Sequence, residues 1–498
     1  MRVLYIAAEC KPFSKVGGVG DVAGELPPAL RQEGVEIEIA TPLYRDKIGK
    51  FASSLSFSGI TSMVDDVGTS RRVEWLSTQL KDVPVYLLDS PEHFLGPVYI
   101  SSPPDRPYWD DAVRFSHFSA ACLDLIERRQ PDIVHVNDWV LGYLLGLMDL
   151  RKMPQARVLT VHNVQYQGNF WSGLLRSNST MERLALTCGD SFRDPHPGWG
   201  CVNALRLGLE KAHMANTVSP NYAWEMTRQP ADDRFFIGGC GLEGVVTELY
   251  PHRFLGILNG FEYGSGPADG GAFRAALQSK AEARANVASE FTRPGDFLLG
   301  FVGRAVEQKI RLLSESLRGR PVLEHLLEIP GVNLALVASG EAEYESFLRA
   351  VPAERGGARN FSAVIRFDPQ KADLISRGCD VFLMPSLFEP CGITQLESMA
   401  GATPPLVRRT GGLADTVIPH TEAGGTGFVF DGDSRESVLD ALVEAVRTAV
   451  GVAKSRPERI LQLQENAFRQ RFTWRSSSMR YIEEVYKPAL SNARAMFS

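Results

Sequence analysis

Short apolar runs rich in β-branched residues alternate with helical segments, and this alternation is the feature that most constrains the fold. In the first half of the chain the runs are "VLYIAAE", "VEIEIATPLY", "DIVHVNDW", "RVLTVHN" and "FLGILNG". Nearly continuous apolar strands separated by helices are typical of a parallel sheet that is covered on both faces. The sequence therefore predicts an α/β fold.

The alternation pauses once, between residues 261 and 295. This segment begins with the Gly-rich "FEYGSGPADGG" and continues as an Ala/Arg/Glu-rich helical stretch without a strand signal. A second series then runs through "FLLGFVGR", "VNLALVASG", "AVIRFD", "VFLMPS" and "PLVRR". Because 498 residues exceed what one hydrophobic core usually supports, we expect two domains, 1–262 and 296–470, with 263–295 as hinge or linker.

Composition and charge exclude several classes of protein. Apolar residues make up 44% and charged residues 22%, which is typical of a soluble globular protein, and no apolar run approaches a membrane span of about 20 residues. A net charge of -6 does not indicate a surface that binds nucleic acid or an anionic membrane. The first residues lack the pattern of a secretory signal, so we expect a cytoplasmic location. Seven cysteines without a Cys-x-x-Cys pair argue against a disulfide framework or structural zinc.

A glycine-rich turn, "KVGGVGD", follows the first predicted strand. The amides of Gly17, Gly18 and Gly20 have no Cβ in their way, and the next helix would direct its positive end at them, so a phosphate would fit. Lys15 adds a positive charge. A tight strand-to-helix loop without a ligand would use the same glycines. A dinucleotide fold fits less well, because Gly24 falls one residue too late for G-x-G-x-x-G.

A second candidate region is "PSLFEPCGITQLESMAGATPPLVRRTGGLADTV", which passes from a strand end into a helix. If that helix begins near Gly392, the amides of Gly392, Ile393 and Thr394 form an anion site without a basic side chain. Glu389 precedes this helix and Glu397 lies eight positions further on, a little over two turns if both were helical. The two carboxylates could then face one cleft, one toward sugar hydroxyls and the other toward ribose. Taken alone, Glu397 is equally a solvated helix residue.

Two cations, Arg304 and Lys309, follow the first strand of the second domain in "FVGRAVEQKI". An arginine fork and a lysine point charge at such a place can clamp a diphosphate. The alternative is a pair of exposed basic residues without a ligand.

These motifs together resemble those of bacterial glycogen synthases and plant starch synthases. The turn matches the family's Lys-x-Gly-Gly-x-Gly-Asp, which places Lys15 and Asp21 beside a sugar nucleotide's diphosphate. The stretch "FEPCGITQL" is similar to Phe-Glu-Pro-Cys-Gly-Leu-Thr-Gln-Leu, and "RRTGGLADTV", which contains Thr410 and Gly411, matches the segment that follows it. The loop "GRAVEQK" keeps both cations of the family's Ser-Arg-Leu-Thr-x-Gln-Lys-Gly.

Shorter matches extend the resemblance over nearly the whole chain. "VHNVQYQG" resembles His-Asn-x-x-Tyr-Gln-Gly, which implies that His162 lies near the transferred glucose. "HVNDW" matches the family's His-Asp-Trp region at Asp138 and Trp139, and "GILNG" contains Asn259. The final segment, residues 471–498, is similar to the family's closing helix.

The resemblance implies a GT-B fold, in which two Rossmann-like, doubly wound parallel-sheet domains face each other and a C-terminal helix crosses back to the first. It also implies a retaining glucosyltransferase that moves glucose from ADP-glucose or UDP-glucose to the non-reducing end of an α-1,4-glucan, without metal or cofactor. The implied catalytic residues are Lys15, His162, Arg304, Lys309 and Glu389. The implied donor contacts are Gly17, Gly18, Asp21, Asp138, Asn259, Gly392, Ile393, Thr394, Glu397, Thr410 and Gly411.

Two departures from the family leave other functions open. After "GILNG" the chain reads "FEYGSGPADG" where the family has Ile-Asp and later Trp-Asn-Pro, and "FRDPHPGWGCV" lacks the usual Tyr-Gly element. Both lie where hinge and acceptor surfaces are expected, so the acceptor could be a short oligosaccharide or a small molecule. A third hypothesis, beside the glucan synthase and an enzyme with another acceptor, is a catalytically silent protein that binds glucan or nucleotide. A two-carboxylate glycosidase fits poorly, since it has no use for diphosphate-binding elements.

Overall fold

The computed structural model describes most of the chain. The described residues are 1–64, 70–100, 108–196, 198–264, 268–292, 296–354 and 360–497. Parts of the expected hinge, residues 265–267 and 293–295, therefore lie outside the described residues, as does Pro197 in the "FRDPHPGWGCV" segment.

The chain forms two compact units. The first unit comprises Met1–Gln229, Gly238–Gly260 and Trp474–Ser498, and the second comprises Pro230–Ile237 and Phe261–Thr473. The chain thus passes between the units at four points.

The strands, in chain order, are β1 Arg2–Ile6, β2 Glu36–Pro42, β3 Ser56–Val64, β4 Ser70–Leu80, β5 Val83–Asp89, β6 Ile133–Asn137, β7 Ala156–Val161, β8 Asn169–Trp171, β9 Cys201–Asn203, β10 Met214–Thr217, β11 Phe254–Gly256, β12 Phe297–Ala305, β13 Ser316–Leu317, β14 Arg320–Pro321, β15 Val332–Gly340, β16 Phe361–Val364, β17 Val381–Met384, β18 Pro405–Arg408 and β19 Phe428–Phe430.

The α-helices are α1 Gly18–Gln32, α2 Pro91–Phe94, α3 Trp109–Arg129, α4 Gly142–Leu150, α5 Ser179–Cys188, α6 Ala204–Lys211, α7 Pro220–Glu225, α8 Glu243–Leu249, α9 Gly270–Ala288, α10 Glu307–Ser314, α11 Val322–Leu327, α12 Ala342–Glu354, α13 Pro369–Gly378, α14 Thr394–Ala400, α15 Gly411–Thr416, α16 Arg435–Ser455, α17 Pro457–Arg469, α18 Trp474–Arg480 and α19 Lys487–Phe497. A π-helical turn, Tyr481–Tyr486, joins α18 to α19. None of the helices described here is long and apolar enough to cross a membrane.

The first unit is built on a nine-stranded sheet of order β11-β10-β7-β6-β1-β2-β5-β4-β3. The strands from β11 to β5 run parallel, and β4 pairs antiparallel with both β5 and β3. Every residue of β6 and β7 is buried. Central strands of this kind are buried throughout because helices cover both faces of the sheet.

The second unit is built on a six-stranded, wholly parallel sheet of order β16-β15-β12-β17-β18-β19. Alternate residues of β12 enter different cores: Leu299 and Phe301 pack in one cluster, and Leu298 packs in the cluster on the other face. Both faces of the sheet are therefore covered. The expected α/β fold with a parallel sheet in each half is confirmed.

The last segment of the chain packs on the first unit, as the resemblance implied. Tyr481, Val485 and Tyr486 share one buried cluster with residues of β1 and β2. Two polar contacts fix this packing: Tyr486 Oη lies 2.9 Å from His135 Nδ1, and Asn216 Nδ2 donates to Tyr481 Oη at 2.9 Å. Burial lowers the pKa of His135 to about 3, so the ring is neutral.

Several elements differ from the sequence-based expectations. The predicted helical stretch of the linker 263–295 is α9, which packs on α13 within the second unit. The segment 176–201 contains α5, whose first turn is capped by Asn178 Oδ1 accepting from Met181 N at 3.0 Å. The strand predicted at "AVIRFD", residues 363–368, is β16, which covers Phe361–Val364 and so begins and ends earlier. Nine strands had no prediction from the sequence: β3, β4, β5, β8, β9, β10, β13, β14 and β19.

A short strap, residues 230–237, belongs to the second unit although the residues on either side of it belong to the first. The guanidinium of Arg408 holds it: Nη1 donates to Phe235 O and Leu387 O, both at 2.9 Å, and Nη2 donates to Arg234 O at 2.7 Å. Arg408 is only 4% exposed. The strap therefore docks through its backbone on a buried cation, which no sequence pattern indicated.

Candidate functional site

In the first unit the candidate residues follow the carboxyl ends of parallel strands. The glycine turn follows β1, Asp138 follows β6, His162 follows β7 and Asn259 follows β11. Because parallel strands end at one edge of a sheet, these residues share that edge, where ligands of open α/β sheets bind.

The amides of the glycine turn are partly occupied by a buried carboxylate, Glu9. Its side chain accepts hydrogen bonds from the backbone N–H of Val16 and, at 3.2 Å, from that of Gly17. Glu9 is 1% exposed, and burial raises the pKa of its carboxyl. The Gly17 amide, predicted to bind a phosphate, here donates a hydrogen bond to Glu9. Gly18 begins α1, and a Cβ there would meet open space.

Lys15 is close to the turn but its charge is paired. Its Nζ lies 2.7 Å from Asp21, and the two side chains are 48% and 20% exposed. Gly24, three residues after the turn, lies in close contact with the backbone of Lys11, because a Cβ at position 24 would lie 2.7 Å from Lys11 O.

Asp138 and His162 are joined by a backbone hydrogen bond. Asp138 Oδ1 accepts from His162 N at 2.7 Å, and burial raises the pKa of the Asp138 carboxyl to about 7. Asp138 has φ 59° and ψ 179°, a region almost restricted to glycine that costs about 1–3 kcal/mol. His162 Nε2 lies 2.9 Å from Asn137 Oδ1, and burial lowers the pKa of the ring to about 4. The structure thus brings these two candidates together and holds the imidazole neutral.

Asn259 has an unsatisfied acceptor. Its side chain is 5% exposed, and Oδ1 is buried without a hydrogen-bond partner among the described residues. A buried amide oxygen without a donor costs free energy, so this position fits a hydrogen-bond donor from a ligand.

In the second unit an ion pair joins two of the predicted residues. Lys309 Nζ contacts Glu389 Oε2, and Ser386 Oγ donates to the same oxygen at 3.1 Å. Lys309 and Glu389 are 17% and 10% exposed at their side chains. Gln308 Nε2 donates to Phe388 O at 2.9 Å and so ties the start of α10 to this loop. The loops after β12 and β17 therefore form one structure at the carboxyl edge of the sheet.

Arg304 lies beside this pair in sequence but is not engaged by it. Its side chain is exposed and makes no hydrogen bond or ion pair with any residue that the structure describes. Of the two predicted clamp cations, Arg304 is thus available to an anion, whereas Lys309 already contacts a carboxylate.

Helix α14 begins at Thr394, with Ile393 as its N-cap, two positions after Gly392. The backbone N–H groups of Gly392, Ile393 and Thr394 have no protein acceptor in the described part of the chain. Glu397 is exposed on this helix, whereas Glu389 lies in the preceding loop. Glu389 therefore precedes the helix, and only Glu397 is helical.

Thr410 is the N-cap of α15, the helix that follows β18, and Gly411 is the first residue of that helix. Gly411 has φ +44°, and a Cβ there would lie 1.9 Å from Glu389 O. Gly412 N donates to the same carbonyl at 2.9 Å. Glycine is thus required at position 411 both for its backbone conformation and for this close approach, which fixes the loop that carries Glu389.

Two residues of the sites were missed by the sequence analysis, Glu9 and Ser386. Both were within quoted stretches, and the available signal was their position directly after a buried strand. No cluster of three or more His, Cys, Asp or Glu side chains that could hold a metal ion occurs among the residues described.

Two family profiles match the chain. The "Starch synthase catalytic domain" matches residues 2–248, and "Glycosyl transferases group 1" matches residues 284–460. The chain is 34% identical to glycogen synthase 1 of Methylococcus capsulatus, over 99% of this chain and 98% of the relative. It is 31% identical to the glycogen synthase of Hydrogenovibrio crunogenus, over 97% and 99%.

Solved structures give the same result. The catalytic domain of starch synthase IV from Arabidopsis thaliana, bound to ADP and acarbose, superposes with a TM-score of 0.78 at 26% identity, over 98% of this chain and 99% of that one. Sucrose-phosphate synthase from Thermosynechococcus elongatus superposes with a TM-score of 0.57 at 17% identity over the same shares, which is a likeness of fold.

Proposed function

Because this chain belongs to the glycogen synthase and starch synthase family and is a hexosyltransferase, we propose that it transfers glucose from ADP-glucose to the non-reducing end of an α-1,4-glucan. UDP-glucose is the alternative donor. The starch synthase IV structure contains ADP, which favours the adenine nucleotide. The cytoplasmic location stays a prediction.

The observation that carries this proposal is the arrangement at the carboxyl edge of the second unit's sheet. There the end of β12 carries the exposed Arg304, and α10, which follows it, carries Lys309. The segment after the adjacent strand β17 carries Glu389, which pairs with Lys309, and three backbone amides without a protein acceptor among the described residues. Fixed positive charge and free amides at such an edge suit the diphosphate of a sugar nucleotide.

The chemistry requires charge stabilisation more than a nucleophile. As the bond between the anomeric carbon and the diphosphate oxygen breaks, negative charge develops on the diphosphate, and Arg304, Lys309 and Lys15 would stabilise it. The acceptor hydroxyl forms the new bond on the same face, and its proton goes to the departing diphosphate oxygen, so configuration is retained. Glu389 would orient the sugar, since its carboxylate accepts from hydroxyls, and His162 would hold the sugar ring.

The proposal is tested by diphosphate release. We would incubate the purified protein with ADP-glucose or UDP-glucose, with and without glycogen, maltooligosaccharides and simple sugars, and follow nucleotide and carbohydrate products. Release that requires glycogen supports the proposal, and release that requires another acceptor corrects the acceptor class. Binding of a donor without turnover on any acceptor would show a silent binding protein.

Variants locate the chemistry. We expect Lys15→Ala and Glu389→Ala each to lower kcat/KM roughly 10²–10³-fold, as the loss of a preorganised polar group in an active site does. The matched control is Arg447→Ala on α16, because Arg447 is 56% exposed and pairs only with Glu444 in the described residues. An unchanged rate in either test variant removes that residue from the site.

A further inference from the structure

A buried amide, Asn137, lies between the core of the first unit and the imidazole of His162. Asn137 is 1% exposed at the end of β6. Its Nδ2 donates to Ile6 O at 2.9 Å. Its Oδ1 lies 2.9 Å from Tyr5 Oη and 2.9 Å from His162 Nε2.

The orientation of this amide follows from its neighbours. A backbone carbonyl can only accept, so the NH₂ group of Asn137 must face Ile6 O, and the oxygen must face His162. An amide oxygen can also only accept. His162 Nε2 must therefore carry a proton, and Tyr5 must donate its hydroxyl hydrogen to the same oxygen.

The other ring nitrogen is then fixed as an acceptor. Burial lowers the pKa of His162 to about 4, so near neutral pH the ring has a single proton, on Nε2. Nδ1 keeps its lone pair, and no protein donor among the described residues contacts it. Its partner must be a group that donates a hydrogen bond.

We propose that Asn137 is a positioning residue that holds His162 as the Nε2–H tautomer, so that Nδ1 accepts a hydrogen bond from a hydroxyl of the bound sugar. The sugar in this statement rests on the proposed function, whereas the tautomer rests on the contacts alone. The inference adds a specificity rule: a sugar with a non-donating group at the contacted position binds less well.

The tautomer is measured directly by ¹⁵N NMR of histidine-labelled protein near neutral pH. The chain has nine histidines, and the His162 signal is assigned by its loss in His162→Gln. We expect a protonated Nε2 and an unprotonated Nδ1 in the wild type. A protonated Nδ1 in the wild type would overturn the proposal, and this test needs no variant at Asn137.

Asn137→Leu removes the acceptor, and Tyr5→Phe is its matched control because it removes only the second donor to the same oxygen. In Asn137→Leu a proton on Nε2 would be buried without a partner, which is unfavourable, so the proton moves to Nδ1. In Tyr5→Phe the tautomer stays as in the wild type. An unchanged tautomer in Asn137→Leu contradicts the proposal.

A series of donors in which one sugar hydroxyl at a time is replaced by fluorine tests the contact itself. Fluorine cannot donate, so we expect one analogue to bind roughly tenfold or more weakly than its parent. His162→Ala should abolish that difference, while Tyr5→Phe keeps it. Equal losses in the wild type and His162→Ala would disprove the sugar contact. The NMR result is independent of turnover, so failure of the proposed reaction and failure of this inference are distinguishable.

Discussion

Each unit buries a glutamate at the carboxyl edge of its sheet, but different groups satisfy the two carboxylates. In the first unit Glu9 accepts from the backbone amides of Val16 and Gly17. In the second, Glu389 accepts from the ammonium of Lys309 and the hydroxyl of Ser386. Amide dipoles compensate one charge, and a full cation compensates the other.

The difference shows which groups each unit can still offer an anion. In the first unit the Gly17 amide donates a hydrogen bond to Glu9, and the Lys15 ammonium forms an ion pair with Asp21. In the second unit Arg304 and the amides before α14 have no protein partner in the described residues. We infer that an anion can bind Arg304 and these amides in the second unit without breaking a hydrogen bond or ion pair of the protein. In the first unit an anion that binds the Gly17 amide or Lys15 must replace Glu9 or Asp21 as its partner.

The largest expected effect concerns the ion pair. Lys309→Ala should lower kcat/KM roughly 10²–10³-fold, because it removes fixed charge from the diphosphate site. Since Lys309 and Glu389 act as one unit, the double variant Lys309→Ala/Glu389→Ala should lose about as much as either single variant. Diphosphate release measures all three. Losses that simply multiply would show that the two residues act independently.

Glu9 should contribute to stability through the turn. Glu9→Ala removes charge-assisted hydrogen bonds to two amides, so we expect the free energy of unfolding to fall by about 1.5–3 kcal/mol in a urea titration. The control is Glu36→Ala, at an exposed glutamate in the same unit, which should change stability by no more than about 0.5 kcal/mol. Equal effects of the two variants would refute the role of Glu9.

Asp138 should give the first unit a pH-dependent stability. Its pKa is raised to about 7, so between about pH 4 and 7 the folded protein binds a proton that the unfolded chain releases. The free energy of unfolding of the wild type, relative to Asp138→Asn, should therefore fall as pH rises, by up to about 1.4 kcal/mol per pH unit. Parallel pH profiles of the two proteins would exclude this contribution.

The smallest expected effect is that of the exposed Lys15–Asp21 pair. Asp21→Asn should change the free energy of unfolding by no more than about 1 kcal/mol, because solvent screens such pairs. The change should shrink further at high salt. A loss as large as that of Glu9→Ala, or one insensitive to salt, would mean that Asp21 stabilises the turn in another way.

The fold was predictable because periodicity alone locates strands such as β1 and β12, and the candidate residues followed because catalytic loops come directly after those strands.

Contact partners were not predictable. The sequence shows an amide at Gly17 and a carboxylate at Glu9, but only the tertiary structure pairs them. The same holds for the strap 230–237, whose position depends on Arg408, a residue far away in the chain. Helix α14 starts at Thr394, after Gly392, because Gly392 takes φ +78°, which is not helical.

The most direct test of the account is a crystal structure of the protein with ADP-glucose. We predict that the diphosphate contacts Arg304, Lys309 and the amides before α14 in the second unit, and that Lys15 has left Asp21 to reach it. A diphosphate bound away from both the "KVGGVGD" turn and the Arg304/Lys309 loop would contradict the account.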